Sequence, residues 1–269
     1  MSGGKSDDAF MVVIIPICAL ADNFIWLIHD GRHAVAVDVG DADPLLERLD
    51  ALNLTLSAVL CTHHHADHVS GNAALAKRCS VSVYGPENEK IPARTVSLRG
   101  GEMLTLPGLE IPCRVLAAPG HTLGHLAYAI ETPEGTALFC GDTLFAAGCG
   151  RVFEGTASMM WQSLSALMTL PETTRIYCGH EYTLSNLRFA CAVEPDNAAL
   201  IAREVAVRTL RDAGEPSVPS TLAEERATNP FLRVDVPAVQ AAAHAYSGKP
   251  CVTALETFTV LRAWKDGFR

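Results

Sequence analysis

Thr62-His63-His64-His65-Ala66-Asp67-His68 is the stretch on which the reading of this chain turns. It holds four side chains with nitrogen or oxygen donors at ligating spacing: His63, His65, Asp67 and His68. The apolar run Ser57-Ala58-Val59-Leu60-Cys61 just before it reads as a buried strand, so the donors begin where a strand ends. In near-extended backbone His63 and His65 point to one side and His64 to the other, giving a two-histidine pincer with one histidine left over. Asp67 and His68 then open what reads as a helix over Val69 to Cys79, where adjacent side chains reach a second point a few ångströms from the first. A lone histidine here would read as a solvated turn residue. Two donor pairs this close read as half of a two-metal site.

Three more junctions of strand and donor lie downstream. Val115-Leu116-Ala117-Ala118 runs into Pro119-Gly120-His121-Thr122, Ala137-Leu138-Phe139-Cys140 into Gly141-Asp142-Thr143, and Arg175-Ile176-Tyr177-Cys178 into Gly179-His180-Glu181. In each, glycine directly precedes the donor and lets the chain turn sharply with room beside the main chain. The seven candidates are therefore His63, His65, Asp67, His68, His121, Asp142 and His180. Three histidines, His63, His65 and His121, can hold one ion, and Asp67, His68 and His180 the other. Asp142 is left as a carboxylate bridge, with a water or hydroxide completing both shells. Histidine and carboxylate donors accept zinc first, with iron or manganese also accommodated, so two divalent ions per chain are expected. Cys61, Cys140 and Cys178 stand near the donors, but strand alternation reads them as packing residues. His125 starts a strand and reads as structural.

Thr-His-x-His-x-Asp-His, Gly-His-Thr-x-Gly-His, Gly-Asp-Thr and Cys-Gly-His-Glu-Tyr together resemble the metallo-β-lactamase superfamily and, within it, the hydroxyacylglutathione hydrolases, the type II glyoxalases. The resemblance spans nearly the whole chain. It takes in Asp22-Asn23-Phe24-Ile25-Trp26, the loop Phe145-Ala146-Ala147-Gly148-Cys149-Gly150-Arg151, Asn229-Pro230-Phe231 and Arg262-Ala263-Trp264-Lys265-Asp266. It implies an αββα sandwich, and metal-dependent hydrolysis of S-(2-hydroxyacyl)glutathione thioesters such as S-D-lactoylglutathione in methylglyoxal detoxification. On that mechanism Asp67 and Asp142 are the catalytic carboxylates, both through the metals, and no serine or cysteine nucleophile is needed.

Composition agrees. The chain of 269 residues is long enough for a large core, and 49% hydrophobic content is that of a globular protein. A net charge of -9 speaks against nucleic acid as a partner. Nine scattered cysteines with no CxxC pair point to a reducing compartment. Met11 to Ala21 mimics a leader peptide with its Ala19-Leu20-Ala21 end, but Asp7 and Asp8 against Lys5 leave no positive n-region, so the stretch reads as the first strand of a hairpin. No stretch reaches the roughly 20 apolar residues of a membrane span. The expectation is a cytoplasmic protein, a monomer rather than an oligomer, with no membrane and no nucleic-acid partner.

Short strands mixed with helices run to about Tyr182: Ala34 to Gly40, Leu106 to Ile111 and Leu126 to Ile130 as strands, and Pro44 to Leu52 as a helix. After Ser185 strand patterns vanish. Helices are expected over Asn197 to Asp212, over Thr221 to Thr228 with Thr221 and Glu224 as a capping box, over Pro237 to Tyr246 and over Val252 to Lys265. The fold class is thus α/β, with a catalytic domain over residues 1–185 and a helical glutathione-binding domain over 186–269.

Arg262 and Lys265 share a face of the last helix, with Arg269 beyond. By residue type alone they read as a solvated helix end favoured by the dipole. The resemblance assigns them to the carboxylate of glutathione, and Tyr182 and the Arg151 to Phe153 loop to the rest of that moiety. Two positions depart from the family pattern: Arg151, often lysine, changes donor geometry, and Phe153, often tyrosine, lacks a hydroxyl. The rivals are a single-iron persulfide dioxygenase, a lactonase or β-lactamase-like hydrolase and a non-catalytic binding module. The complete donor set and the basic pair weigh against them.

Overall fold

Asn23 to His29 is apolar at nearly every position because it is buried on both faces. Phe24, Trp26 and Ile28 enter one apolar cluster while Ile25 and Leu27 enter another, as the two-residue period of a strand requires. The computed structural model describes residues 12–268. Lys5, Asp7, Asp8, Met11 and Arg269, which entered the reading of the two chain ends, lie outside the described residues.

The first sheet runs in the order β1 (Val13–Ala19), β2 (Asn23–His29), β3 (His33–Val37), β4 (Thr55–Leu60), β5 (Ser82–Pro86), β6 (Val96–Leu98). It is antiparallel from β1 to β3 and parallel from β3 to β6. The second sheet is built from β7 (Met103–Thr105), β8 (Pro112–Ala117), β9 (Leu126–Thr132) and β10 (Gly135–Gly141). After a small hairpin of β11 (Leu144–Phe145) and β12 (Gly148–Cys149) it adds β13 (Arg175–Cys178) and β14 (Ser220–Thr221), in the order β14-β13-β10-β9-β8-β7. Helices α1 (Ala42–Leu52), α2 (Ala66–Val69) and α3 (Asn72–Arg78) belong to the first half; α1 and α3 cover the outer face of the first sheet through Leu45, Leu46, Leu49 and Leu75. Helices α4 (Ala157–Leu167), α5 (Thr183–Val193), α6 (Ala198–Asp212), α7 (Leu222–Thr228), α8 (Pro237–Ser247) and α9 (Ala254–Gly267) complete the chain. The result is the αββα sandwich followed by helices. The apolar core between the sheets continues into that last region through Phe189, Phe231, Phe258 and Leu261.

Four local expectations need correction. The helix expected over Val69 to Cys79 is two pieces, because Gly71 donates its N–H to Val39 O at 2.9 Å and turns the chain between α2 and α3. Leu106 to Ile111 is a turn, not a strand: Pro107-Gly108 reverses the chain and Leu106 donates to Ile111 O at 2.9 Å. Strand pairing does not end at Ser185, since β14 joins β13. Thr221 caps α7 by accepting from Glu224 N at 3.2 Å, but the Glu224 carboxylate lies 3.4 Å from Arg203 instead of closing the box. The full capping box is at Thr253 and Glu256, on α9. Helix α4, for which the sequence reading had no expectation, starts at the Thr156 cap. Among the described residues no helix is long and apolar enough to cross a membrane.

Candidate functional site

β3, β4, β8, β10 and β13 all end at one edge of the sandwich, and each delivers a polar residue just past its last residues or at its end: Asp38, His63, His121, Asp142 and His180. Parallel pairing of β3 with β4 and of β10 with β13 is what brings these ends level. His63 Nε2 and His121 Nε2 each lie 3.0 Å from His65 Nδ1. His68 Nε2 lies 3.3 Å from His180 Nε2, and Asp67 Oδ2 is 3.5 Å from the first and 3.4 Å from the second. The donors of His63, His65 and His121 thus form one group able to hold an ion, and those of Asp67, His68 and His180 another. Asp142 touches both: Oδ1 is 3.4 Å from His68 Nε2, and Oδ2 is 3.4 Å from both His121 Nε2 and His180 Nε2.

Two glycines make this crowding possible. A Cβ on Gly179 would sit 2.7 Å from both Asp142 Oδ1 and His68 Cε1, and Gly141 has φ +46° with its would-be Cβ 2.4 Å from Thr62 Oγ1. The space is taken by neighbouring donor side chains.

In four of the five histidines the other ring nitrogen is tied down, which fixes where the free one points. His68 Nδ1 is 3.0 Å from Asp38 Oδ2, His180 Nδ1 2.9 Å from Asp22 Oδ1, His121 Nδ1 2.8 Å from Arg151 O, and His63 Nδ1 3.0 Å from Thr62 Oγ1. Asp38 also accepts from Thr62 N and Thr62 Oγ1, both at 2.7 Å, and Asn23 Nδ2 donates to Asp67 Oδ2 at 3.0 Å. Asp22, Asn23 and Asp38 were missed as site residues. Asp38 carried a signal, standing at the end of an apolar strand two residues before Gly40. His125 holds the Asp142 backbone: Asp142 N donates to its Nε2 at 3.1 Å.

Burial and neighbouring histidines push the His63 pKa far down. Burial likewise lowers His65, helped by His121 and His64, and lowers His121, helped by His68 and His180, in both cases against the pull of Asp142. Burial opposes charge on His68 too, but Asp142, Asp38 and Asp67 outweigh it and raise its pKa to about 9. His180 is raised in the same way, with Asp142 and Asp22 overcoming burial. Asp142 is held well below the usual carboxylate range, because His68, His180 and His121 outweigh its burial. Asp142 Oδ1 is nevertheless buried without a hydrogen-bond donor. A buried carboxylate oxygen without a donor, facing imidazole nitrogens whose opposite sides are occupied, fits divalent cations. Among the described residues no cysteine enters a metal-capable group; Cys61, Cys140 and Cys178 are buried.

A cavity of about 440 Å³ opens from His121 and Asp142, and Arg151, Phe153, Tyr182, Arg262 and Lys265 all line it. Ser185 and Asn186 of α5, which carried no motif, line it too. Arg262 is not a solvated helix-end residue: it is 6% exposed, stacks on Phe231, and donates from Nη1 to Cys149 O at 2.8 Å and from Nη2 to Asp266 at 2.9 Å. Lys265 Nζ donates to Ser185 O at 2.9 Å, and burial, with Arg262, Arg188 and Arg151 nearby, lowers its pKa to about 8. Tyr182 stacks flat on His180 with ring centres 4.6 Å apart. Phe153, 62% exposed, sets its ring 5.2 Å from that of His121 and 5.8 Å from that of His65.

Residues 21–180 match the family model of the metallo-β-lactamase superfamily, and residues 181–268 match that of the hydroxyacylglutathione hydrolase C-terminus. A Pseudomonas aeruginosa hydroxyacylglutathione hydrolase is 51% identical over 96% of this chain and 100% of its own. One from Nitrosomonas europaea is 46% identical over 96% and 97%. Among solved structures, ETHE1 from Myxococcus xanthus superposes with TM-score 0.65 at 26% identity, covering 93% of this chain and 89% of that one. TTHA1623 in a di-iron-bound form does so with TM-score 0.51 at 29% identity, covering 63% and 92%.

Proposed function

The chain belongs to the hydroxyacylglutathione hydrolases of the metallo-β-lactamase superfamily, and from that membership we propose that it hydrolyses S-(2-hydroxyacyl)glutathione thioesters, S-D-lactoylglutathione among them, to glutathione and a 2-hydroxy acid in methylglyoxal detoxification. The observation that carries this reading is a single cavity joining the Asp142 and His121 end to a basic wall of Arg151, Arg262 and Lys265. An anionic thiol carrier with a reactive acyl carbon at its centre has that shape and charge.

His63, His65 and His121 would hold one divalent ion and Asp67, His68 and His180 the second, with Asp142 shared; zinc suits these donors best. Bound there, the ions supply Lewis acidity toward the thioester carbonyl and an ionised water at neutral pH. The chain's own groups do the rest. Asp67, fixed by Asn23, orients the nucleophile, and Asp142 keeps the two donor groups in register. Lys265 and Arg151 anchor the glutathione carboxylates, Arg262 shapes the loop below them, and Tyr182 offers its hydroxyl to the glutathione backbone. The carbon–sulfur bond breaks with thiolate leaving, a stable anion that needs no protonating acid, and no second nucleophile is required. The same reading takes residues 1–185 as the catalytic part and 186–269 as the glutathione-binding part, in a cytoplasmic monomer. The persulfide dioxygenase and lactonase alternatives are not favoured, since the relatives covering nearly the whole chain carry the hydrolase name.

The test is hydrolysis of S-D-lactoylglutathione by purified protein, followed as loss of thioester absorbance, with metal content measured on the same sample. Turnover with about two ions per chain is expected. A metal-loaded protein that leaves the thioester intact overturns the reading.

A further inference from the structure

The histidine left over from the pincer is not idle. His64 Nδ1 lies 3.0 Å from Glu89 Oε2 and its Nε2 3.4 Å from Glu154 Oε1. Glu89, just past β5, is buried, and its Oε1 accepts from Thr122 Oγ1 at 2.5 Å and from Gly124 N at 2.9 Å. Glu154 Oε2 accepts from Leu123 N at 3.0 Å. Three consecutive residues after His121 are therefore gripped by two carboxylates, and His64 closes the bracket between them. The loop bearing Arg151 and Phe153 belongs to the same bracket: Phe153 N and Glu154 N both donate to His121 O at 3.3 Å.

We propose that His64 is a positioning residue: through Glu89 and Glu154 it ties the His63–His65 segment to the His121 segment and to the Phe153 loop, and so sets the spacing of the three-histidine group. The inference rests on the reading of that group as a metal site. A buried carboxylate is costly unless its oxygens are satisfied, and among the described residues no lysine or arginine pairs with the Glu89 side chain. Its oxygens go to the His121 loop and to His64, so its position reports both. His63 and His121 reach the centre from different strands, β4 and β8, which belong to different sheets. Ligand geometry must hold to about half an ångström, and this bracket is a side-chain link that spans the two sheets at the solvent side of those histidines, as the Tyr128 hydroxyl does beneath them by donating to Cys61 O at 2.7 Å. His64, His65 and Glu154 also come close enough to one another to hold an ion themselves, but that would draw His65 away from His63 and His121 and His64 away from Glu89.

The experiment is zinc titration of full-length protein against a competing chelator, for wild type, His64→Ala, His64→Gln and Glu154→Ala, with melting of the metal-free forms alongside. Expected is a loss of affinity of about tenfold or more for one ion in His64→Ala with the other unchanged. His64→Gln, which keeps a donor for Glu89, recovers most of it. Glu154→Ala, at a more exposed side chain that breaks only the outer contact, shows the same one-site loss by a smaller factor. The metal-free variants melt within about 2 °C of wild type, a shift too small for a structural lesion. Wild-type affinity at both sites in His64→Ala overturns the proposal, as does equal loss at both sites with a lowered melting point. Binding of a third ion that vanishes with His64 also overturns it, since the residue would then be a ligand. The readout is ion affinity and not turnover, so failure of the substrate reading appears in the thioester assay and failure of this one appears here.

Discussion

The two donor groups face each other across Asp142, yet they are electrostatically unlike. His63, His65 and His121 are crowded, and burial first, then the neighbouring histidines of both groups, drives their pKa values down. His68 and His180 are as buried but lean on Asp38, Asp22, Asp67 and Asp142, which drive theirs up. At neutral pH the first group already has the deprotonated form that a cation needs, whereas the second must release a proton before an ion can enter. In return the second offers more negative charge. Identical ions should therefore bind unequally, with a pH dependence that belongs mainly to one side.

The largest effect is expected where the two groups meet. Asp142→Ala removes the carboxylate that contacts both, and should cost about a thousandfold in turnover together with at least one ion, given what preorganised charge contributes in such sites. Full activity with both ions retained would break the account. Proton accounting sharpens the comparison next. Calorimetric zinc titration at pH 7 in buffers of different ionisation enthalpy should show about one proton released on filling the carboxylate-rich group and close to none for the three-histidine group. The metal-free fold carries the matching signature. His68 has a folded pKa of about 9 against an ordinary 6.5, so its charged form stabilises the protein fully below pH 6.5 and that contribution is lost as pH rises through about 9. Melting of the metal-free protein between those limits measures it.

The two groups also differ in how they were written into the sequence. All seven donors were legible, four from one dense run after a strand and three from glycines at strand ends, because a ligand near a strand terminus sits beside its own local signal. Of the residues that give the second group its charge, Asp22 carries no such signal, and Asp38 carries only the end of an apolar strand before Gly40; its place in the site becomes legible once β3 is seen to lie parallel to β4 and to end level with it. The helices from Asn197 onward were legible by period and cap, but α5 was not, nor that its Ser185 and Asn186 would face the cavity, since a helix face is assigned by what packs against it. The break at Gly71 was invisible for a similar reason: it depends on the Val39 carbonyl, 32 residues back. Nor does the sequence hint at Glu225, fully buried, paired with Arg203 and holding Ala147 N at 2.8 Å beneath the loop that leads to Arg151.

The basic wall extends the comparison from metals to substrate. Lys265 resembles the first donor group in being pushed toward neutrality, by burial and then by Arg262, Arg188 and Arg151. Lys265→Ala should raise KM by about tenfold with kcat little changed, the range of one charge-assisted hydrogen bond. In wild type the charge is present below about 8 and lost above it, so KM should climb as pH passes that value. Lys265→Arg should flatten the climb; an unchanged slope in that variant would detach Lys265 from substrate binding.

Two of the aromatic side chains that line the cavity divide between the same two groups. Tyr182 stacks on His180 of the second, while Phe153 packs edge-on to His65 and His121 of the first. Only one of the two brings a hydroxyl, so on the proposed function the substrate would be held by a hydrogen bond on one side of the cavity and by ring contact alone on the other. A neutral hydrogen bond contributes about 0.5–1.5 kcal/mol. Tyr182→Phe should therefore raise KM by about two- to tenfold, and Phe153→Tyr should lower it by the smaller end of that range, since Phe153 is 62% exposed and water competes for its added hydroxyl. Neither change should alter kcat by more than about twofold, because neither ring reaches the reacting carbon on this reading. If Phe153→Tyr instead lowers kcat, the ring over His121 and His65 is setting the geometry of the first donor group, and the division between a metal-holding side and a substrate-holding side would have to be redrawn there.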